Sequence, residues 1–290
     1  MKFSHPQKNS IVLLGFLILV IFMVLICAGI LFRSVLPQNS QITKPSPELL
    51  TKAIVMPHHD LLIDQFPTFY QSFSLKDRQQ IKQIIFLSPN HFQTQETIIK
   101  TRANNFNVVA HGSPTQSVST SLHINPFLLQ SLLSTNIVSI DDIALEKDHG
   151  VFLHLPFLAQ AFPNATLTPL LLTRNISQAP LDKVVSLLAA EMKNGETLLF
   201  ISSDFSHYLS YDEAEKKDQE TLSIIQNGQA EQVLRLGDDH TDCPACLYIT
   251  MKVLAQEKYH PPTVLFHGNS AQYVVSSSST PSTSYFILRW

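Results

Sequence analysis

The sequence predicts an α/β fold: a sheet covered by helices on both faces (a three-layer sandwich), preceded by one N-terminal transmembrane helix. Three observations predict it. From Lys52 onward, short apolar runs alternate with segments of helical period. The runs Ile84-Ile85-Phe86-Leu87 and Leu198-Leu199-Phe200-Ile201 are apolar at every position, as strands buried between two helix layers require. Ahead of them, residues 11–32 carry no charge at all.

Taken in order, the uncharged stretch comes first. As a helix it would reach roughly 33 Å, enough to cross a bilayer core. It is longer than the apolar core of a cleaved signal peptide. Cys27-Ala28 has Ile26 where a lipidation site wants a small residue. Lys2 and Lys8 precede the stretch and Arg33 follows it. The positive-inside rule then gives a cytoplasmic tail at 1–10, an anchor at 11–32 in contact with the lipid bilayer, and an extracytoplasmic body. The expectation is a single-pass membrane protein. Residues 33–51, with Pro, Ser, Gln and Asn, read as an extended linker.

The α/β domain occupies 52–290. Strands are expected at Ala53–Met56, 84–88, Thr166–Leu172, Thr197–Ser202, 263–267 and 285–290. Helices are expected at Pro126–Leu133, 151–162, 181–193, 212–227 and 244–257. In the fourth of these, Asp212 and Glu213 fall in the first turn, where the helix dipole favours negative charge. The Ser/Thr/Pro-rich stretch 276–284 reads as a surface loop before the last strand.

Composition narrows the function. The 290 residues include 23 acidic and 20 basic side chains, a net charge of −3, with 44% apolar residues and 15% charged. That excludes extensive disorder. No block of Lys or Arg offers a nucleic-acid surface. Three cysteines exclude a disulfide-stapled miniprotein, and the eight glycines form no phosphate-binding loop.

The placement of the histidines is more informative. Ala53-Ile54-Val55-Met56 runs into Pro57-His58-His59-Asp60, and Ile84-Ile85-Phe86-Leu87 into Ser88-Pro89-Asn90-His91. Leu199-Phe200-Ile201 runs into Ser202-Ser203-Asp204-Phe205-Ser206-His207. Ligands bind beyond the carboxyl ends of strands in open α/β sheets. If the three strands are parallel neighbours, these histidines converge on one crevice, and imidazole is the commonest metal ligand. Asp148, before His149-Gly150, is either a helix N-cap or part of the site. His154 reads as a helix-surface residue. Cys243-Pro244-Ala245-Cys246 opens a helix, where a thiolate is stabilised. The spacing alone leaves a metal ligand, a redox pair, a zinc knuckle and a passive disulfide all open.

These segments, in this order, resemble the Memo family, also called AmmeMemoRadiSam system protein B. The resemblance covers most of residues 50–290. It rests on Pro57-His58, Ser88-Pro89-Asn90-His91, Asp148-His149 with Leu155-Pro156-Phe157, Ser202-Ser203-Asp204-Phe205-Ser206-His207, Cys243 and Asn269-Ser270. The Ser-Ser-Asp-Phe-x-His segment, Ser202–His207, is the most specific of them. The resemblance implies an α/β sandwich related in fold to class III extradiol dioxygenases, which use non-haem iron. It implies a metal, iron or copper, held by His58, His91 and Cys243. His207 would act as general acid/base, with Asp204 orienting it or a bound water.

Departures from the family pattern are His59-Asp60 in place of Ala-Gly, Ser88 in place of Gly, and Pro244 after Cys243, which makes Cys246 the alternative ligand. The resulting expectation is a membrane-anchored metalloprotein performing metal-dependent redox or dioxygenase-type chemistry as a non-haem oxidoreductase. Its partner is an unspecified small molecule or protein and not a nucleic acid. Two alternatives stand beside it: a non-catalytic, surface-tethered binding module, and a hydrolase using Ser202 or Ser203 with His207.

Overall fold

The computed structural model describes residues 50–92, 95–111, 117–256, 258–274 and 280–290. In chain order the elements begin with β1 (Ala53–Met56), a 3-10 helix (Asp60–Gln65), α1 (Phe66–Tyr70), α2 (Leu75–Gln80) and β2 (Gln83–Pro89). There follow β3 (Ile99–Thr101), β4 (Phe106–His111), β5 (Ser117–Leu122), α3 (Pro126–Leu133) and β6 (Val138–Ile140). Next come α4 (Asp142–Lys147), α5 (His149–Phe152), α6 (Leu155–Ala161), β7 (Thr166–Leu172), α7 (Gln178–Met192) and β8 (Thr197–Ser202). The chain closes with β9 (His207–Leu209), α8 (Tyr211–Gln226), α9 (Ala230–Val233), α10 (Pro244–Leu254), β10 (Thr263–Asn269) and β11 (Ser282–Arg289).

Among the described residues the strands form a mixed nine-stranded sheet in the order β10-β11-β1-β8-β2-β7-β3-β6, with β9 paired to β11. The middle strands β1, β8, β2 and β7 are parallel neighbours. On one side β11 runs antiparallel to β1, and on the other β3 runs antiparallel to β7. A separate hairpin pairs β4 with β5.

The all-apolar runs divide their side chains between two cores, because successive strand residues point to opposite faces. Val55, Ile85, Leu87, Leu199 and Ile201 meet α3, α7 and α10 on one face. Ile54, Met56, Ile84, Phe86, Leu198 and Phe200 meet α1 and α6 on the other. The helices start where the sequence caps them. Asn125 accepts from the amides of Phe127 and Leu128 ahead of Pro126, and Ser210 with Glu213 forms a capping box on α8.

Two expectations need correction. The transmembrane helix at 11–32 lies outside the described residues, and among those described no helix is long and apolar enough to cross a membrane. The fold of the described residues is a mixed α/β sheet with helices, none of them a membrane helix, and the single-pass extracytoplasmic location expected from residues 11–32 is not carried further. The helix expected at 151–162 is two helices. Pro156 cannot donate the amide that a continuous helix needs, and its ring clashes with the preceding turn. The chain breaks after α5 and restarts as α6 with Pro156 in the first turn.

Candidate metal centre

The register of the central sheet aligns three strand ends. Met56 pairs with Ser202, and Leu87 with Ile201. The residues that leave β1, β2 and β8 therefore emerge side by side, and α5 arrives over the same end. His58, His91 and His149 meet there, with ligand-type atoms all within 4.8 Å of one another. The ring centroids of His91 and His149 lie 4.0 Å apart, and that of His58 lies 4.9 and 5.2 Å from them.

The hydrogen bonds around the rings decide which nitrogen is free. Ser202 Oγ donates to the carbonyl of Gly150 at 2.6 Å, so its single proton is committed. His58 Nδ1, 2.9 Å from the same oxygen, is then the donor, and Nε2 faces the crevice. His91 Nδ1 donates to Asp148 Oδ1 at 2.7 Å. The fully buried Asp148 carboxylate also accepts the amides of His91 and Gly150. Asp148 is thus both the N-cap of α5 and the group that orients His91. Such a carboxylate–histidine pair fixes the tautomer and raises the basicity of the remaining nitrogen. Gly150 is required by close approach: a Cβ there would collide with Ser88 Oγ and stand 3.2 Å from His91 Cε1.

Charge completes the arrangement. Burial alone would depress the His58 imidazole, but the carboxylates of Asp204 and Asp242 outweigh it and lift its pKa to about 9. Burial and the neighbouring His91 and His58 push His149 down to about 4, so it is neutral at ordinary pH. Asp242 is held well below the usual carboxylate range: burial acts against this, and the contact with His58 prevails. Asp242 Oδ2 lies 3.0 Å from His58 Nε2, and Asp204 Oδ2 lies 3.8 Å from it.

The structure brings together most, but not all, of the residues that the sequence singles out. His58 and His91 share the crevice. Asp204 is there too, but its Oδ1 accepts the His58 amide at 3.0 Å, so it fixes the backbone of His58. His207 opens β9, close enough to act electrostatically on Asp242, and its Nδ1 is buried with no hydrogen-bond partner. The next residue, Tyr208, has φ 61°, a left-handed conformation that is costly for an aromatic residue.

Cys243 is disulfide-bonded to Cys246 and belongs to none of the candidate metal-holding groups among the described residues. The two sulfurs form a disulfide, as both the redox-pair and the passive-disulfide readings require. His154 is not on a surface. It is fully buried, stacks on Phe66 at 4.9 Å and shares a hydrogen bond with Tyr70. Ser202 and Ser203 are fully buried, and their hydroxyls donate to the Gly150 carbonyl and to Asp242 Oδ1.

Sequence reasoning missed His149 and Asp242 as site residues. His149 carried a signal, its position between Asp148 and Gly150. Asp242 carried none, because it looks like one more acid in a polar loop beside Asp238 and Asp239. A further group, Glu215, Asp218 and His267, shares no residue with the site. There His267 Nε2 meets the buried Asp218 at 2.8 Å, and Ser206 and Ser284 both donate to that carboxylate. This network ties α8 to β10 and β11.

Comparison with known proteins agrees with this arrangement of motifs. The family model described as Memo-like protein matches residues 33–285. A MEMO1 family protein of Sulfolobus acidocaldarius is 24% identical over 250 residues, which cover 84% of this chain and 82% of the relative. One from Metallosphaera sedula is 23% identical, covering 68% of each chain. One from Aquifex aeolicus is 23% identical over 66% of this chain and 67% of the relative.

Proposed function

The chain belongs to the Memo-like protein family, and from that premise we propose that it is a metalloprotein for redox or oxygen chemistry, its ion held by His58, His91 and His149. The observation that carries this reading is the committed state of the ring nitrogens. His58 and His91 each spend Nδ1 on a buried partner, which leaves Nε2 of each as the nitrogen to bind an ion, that of His58 now facing Asp242 Oδ2 at 3.0 Å. His149 is neutral, as a ligand must be. The donor set therefore fits a divalent transition metal, with iron or copper as the proposed ions.

When bound, such an ion supplies open coordination positions at which a small molecule is oxidised, reduced or joined to oxygen. The protein's own groups do the rest. Asp148 holds His91, and the Ser202–Gly150 chain holds His58. His207 is proposed to take or give a proton through its unpartnered Nδ1, next to the negative charge of Asp242. Asp204 supports the site by anchoring the His58 amide.

Metal analysis of the full-length protein, purified without chelator, tests the reading. The wild type should carry about one ion per chain. His91→Ala should lose most of it and stay folded, since a residue past a strand end supports little of the core. His207→Ala should retain the ion. Unchanged metal content in His91→Ala would overturn the assignment.

A further inference from the structure

We propose that Glu215, Asp218 and His267 form a second cation site, separate from the histidine crevice, for a divalent ion that prefers oxygen ligands. The site shares no residue with that crevice and stands independently of the reading given for it.

The three side chains come from two elements. Glu215 and Asp218 lie one turn apart on α8, and His267 projects from β10. Their ligand-type atoms all lie within 4.8 Å of one another. Two ligands on opposite sides of an ion with bonds of about 2.1–2.4 Å stand about 4.2–4.8 Å apart, so one ion fits among them after small side-chain shifts. Each group is also held in place. Asp218 is fully buried, and its Oδ1 accepts from Ser206 Oγ and Ser284 Oγ at 2.6 Å each, which leaves Oδ2 toward His267. The His267 ring stacks on Phe286 at 4.2 Å. Tyr211, one turn ahead on α8, hydrogen-bonds the Glu215 carboxylate. Partners of this kind orient ligands in metal sites. The side chains of Glu215 and His267 are each 30% exposed, which gives an ion a way in.

Two observations go beyond an ordinary ion pair. The 2.8 Å contact of His267 Nε2 with Asp218 Oδ2 is, by itself, such a pair. Glu215 then brings a second carboxylate to 3.8 Å from the same nitrogen, too far for a hydrogen bond. Among the described residues neither carboxylate pairs with a Lys or Arg. Even a protonated His267 would leave one negative charge over, and like charges one turn apart on a helix repel. A divalent ion supplies the missing charge. The second observation is Asn269. It is fully buried, its Oδ1 accepts the Ala271 amide, and its Nδ2 has no partner. Two residues beyond His267, it lies on the same face of β10 and directly opposite Ser284, whose hydroxyl holds Asp218. A buried amide left unpaired is costly. An oxygen held on the ion, from water or an exchangeable ligand, gives Nδ2 its acceptor.

Two carboxylates with one imidazole suit manganese(II) and similar hard ions, unlike the three imidazoles of the crevice. Being partly open, the site exchanges its ion with solvent and adds nothing to the ion retained through purification.

Manganese(II), added alone to metal-free, full-length His91→Ala protein, is the probe. Its six-line electron paramagnetic resonance signal is lost on binding, so the remaining signal counts free ion. One ion per chain should bind. Glu215→Gln and Asp218→Asn, each in that background, should weaken binding by at least about tenfold, the lower end of what even outer-shell partners contribute. Glu220→Gln, which removes an exposed charge elsewhere on α8, should change nothing. Far-ultraviolet circular dichroism checks each fold, and the partly exposed Glu215→Gln carries the test should Asp218→Asn fail to fold. Absence of manganese binding overturns the proposal, as does unchanged affinity in Glu215→Gln or an equal loss in Glu220→Gln. The reading of the histidine crevice is untouched by these outcomes, since it stands or falls on His91→Ala and the retained ion.

Discussion

His58 sits where two demands on one imidazole conflict. The metal-free protein holds its proton against Asp242 and Asp204 up to a pH of about 9, yet an ion on Nε2 must displace that proton. Metal affinity should therefore rise about tenfold per pH unit between pH 6.5 and 8.5, with close to one proton released per ion. His149, at about 4, is already neutral over this range and releases none. Competition titrations at three pH values check this, and flat affinity would remove His58 from the ligand set. The same two groups shape the stability of the metal-free protein. His58 has a raised folded pKa, so its contribution is complete below pH 6.5 and is lost as pH rises through about 9. His149 has a depressed one, so stability is lost as pH falls from 6.5 toward 4, where the unfolded chain takes the proton first. From these two groups, the metal-free melting temperature should peak near pH 6.5. Asp148→Asn keeps an N-cap oxygen for the Gly150 amide but removes the charge that faces His91. It should leave the fold intact and cost 10–100-fold in metal affinity by competition titration, the range typical of such partners.

At the scale of elements, a proline decides what His154 does. A continuous helix over 151–162 would carry His154 on its outer surface, and periodicity alone gives that answer. Pro156 breaks the helix, and His154 becomes the N-cap residue of α6, turned among Phe66, Phe86, Phe200 and Tyr70. His154→Ala should therefore cost about 3 kcal/mol, the size of an aromatic-to-alanine cavity in a core. Urea unfolding of the metal-free protein measures it, and a change under 0.5 kcal/mol, roughly the surface value, would return His154 to the surface. Other elements were easier to read. β1, β2 and β8 are apolar on both faces, so their existence and the polar residues that end them were visible in the sequence. β9 is only three residues and half exposed, with no apolar signal to announce it. β3 went unread, and β11 was expected as a strand at 285–290 but not as the antiparallel partner of β1, because local pattern does not encode strand direction or neighbour. Asp242 stayed hidden for a related reason: only the tertiary path of its loop separates it from Asp238 and Asp239.

For the whole molecule, the consequence of this layout is that one ion reads out the assembly of distant chain segments. His58 follows β1, His91 follows β2 and His149 opens α5, three segments well separated along the chain. None of these groups are neighbours in the unfolded state, so the ion binds the native state almost exclusively and must stabilise it by linkage. At a free metal concentration one hundred times the dissociation constant, that stabilisation is about 2.7 kcal/mol. For a protein of this size it should raise the melting temperature by roughly 4–8 °C, using the per-residue unfolding entropy scaled from smaller domains. His91→Ala should melt near the metal-free wild type and show little response to added ion, because its core packing is unchanged while the site is broken. The Cys243→Ser, Cys246→Ser double variant should behave in the opposite way. It should melt lower without metal, since an intact cross-link restricts the unfolded chain, and it should still gain the full metal-dependent increment. Differential scanning calorimetry of the three proteins, with and without ion, separates these contributions. An equal increment in wild type and His91→Ala would mean that the stabilising ion sits elsewhere on the fold.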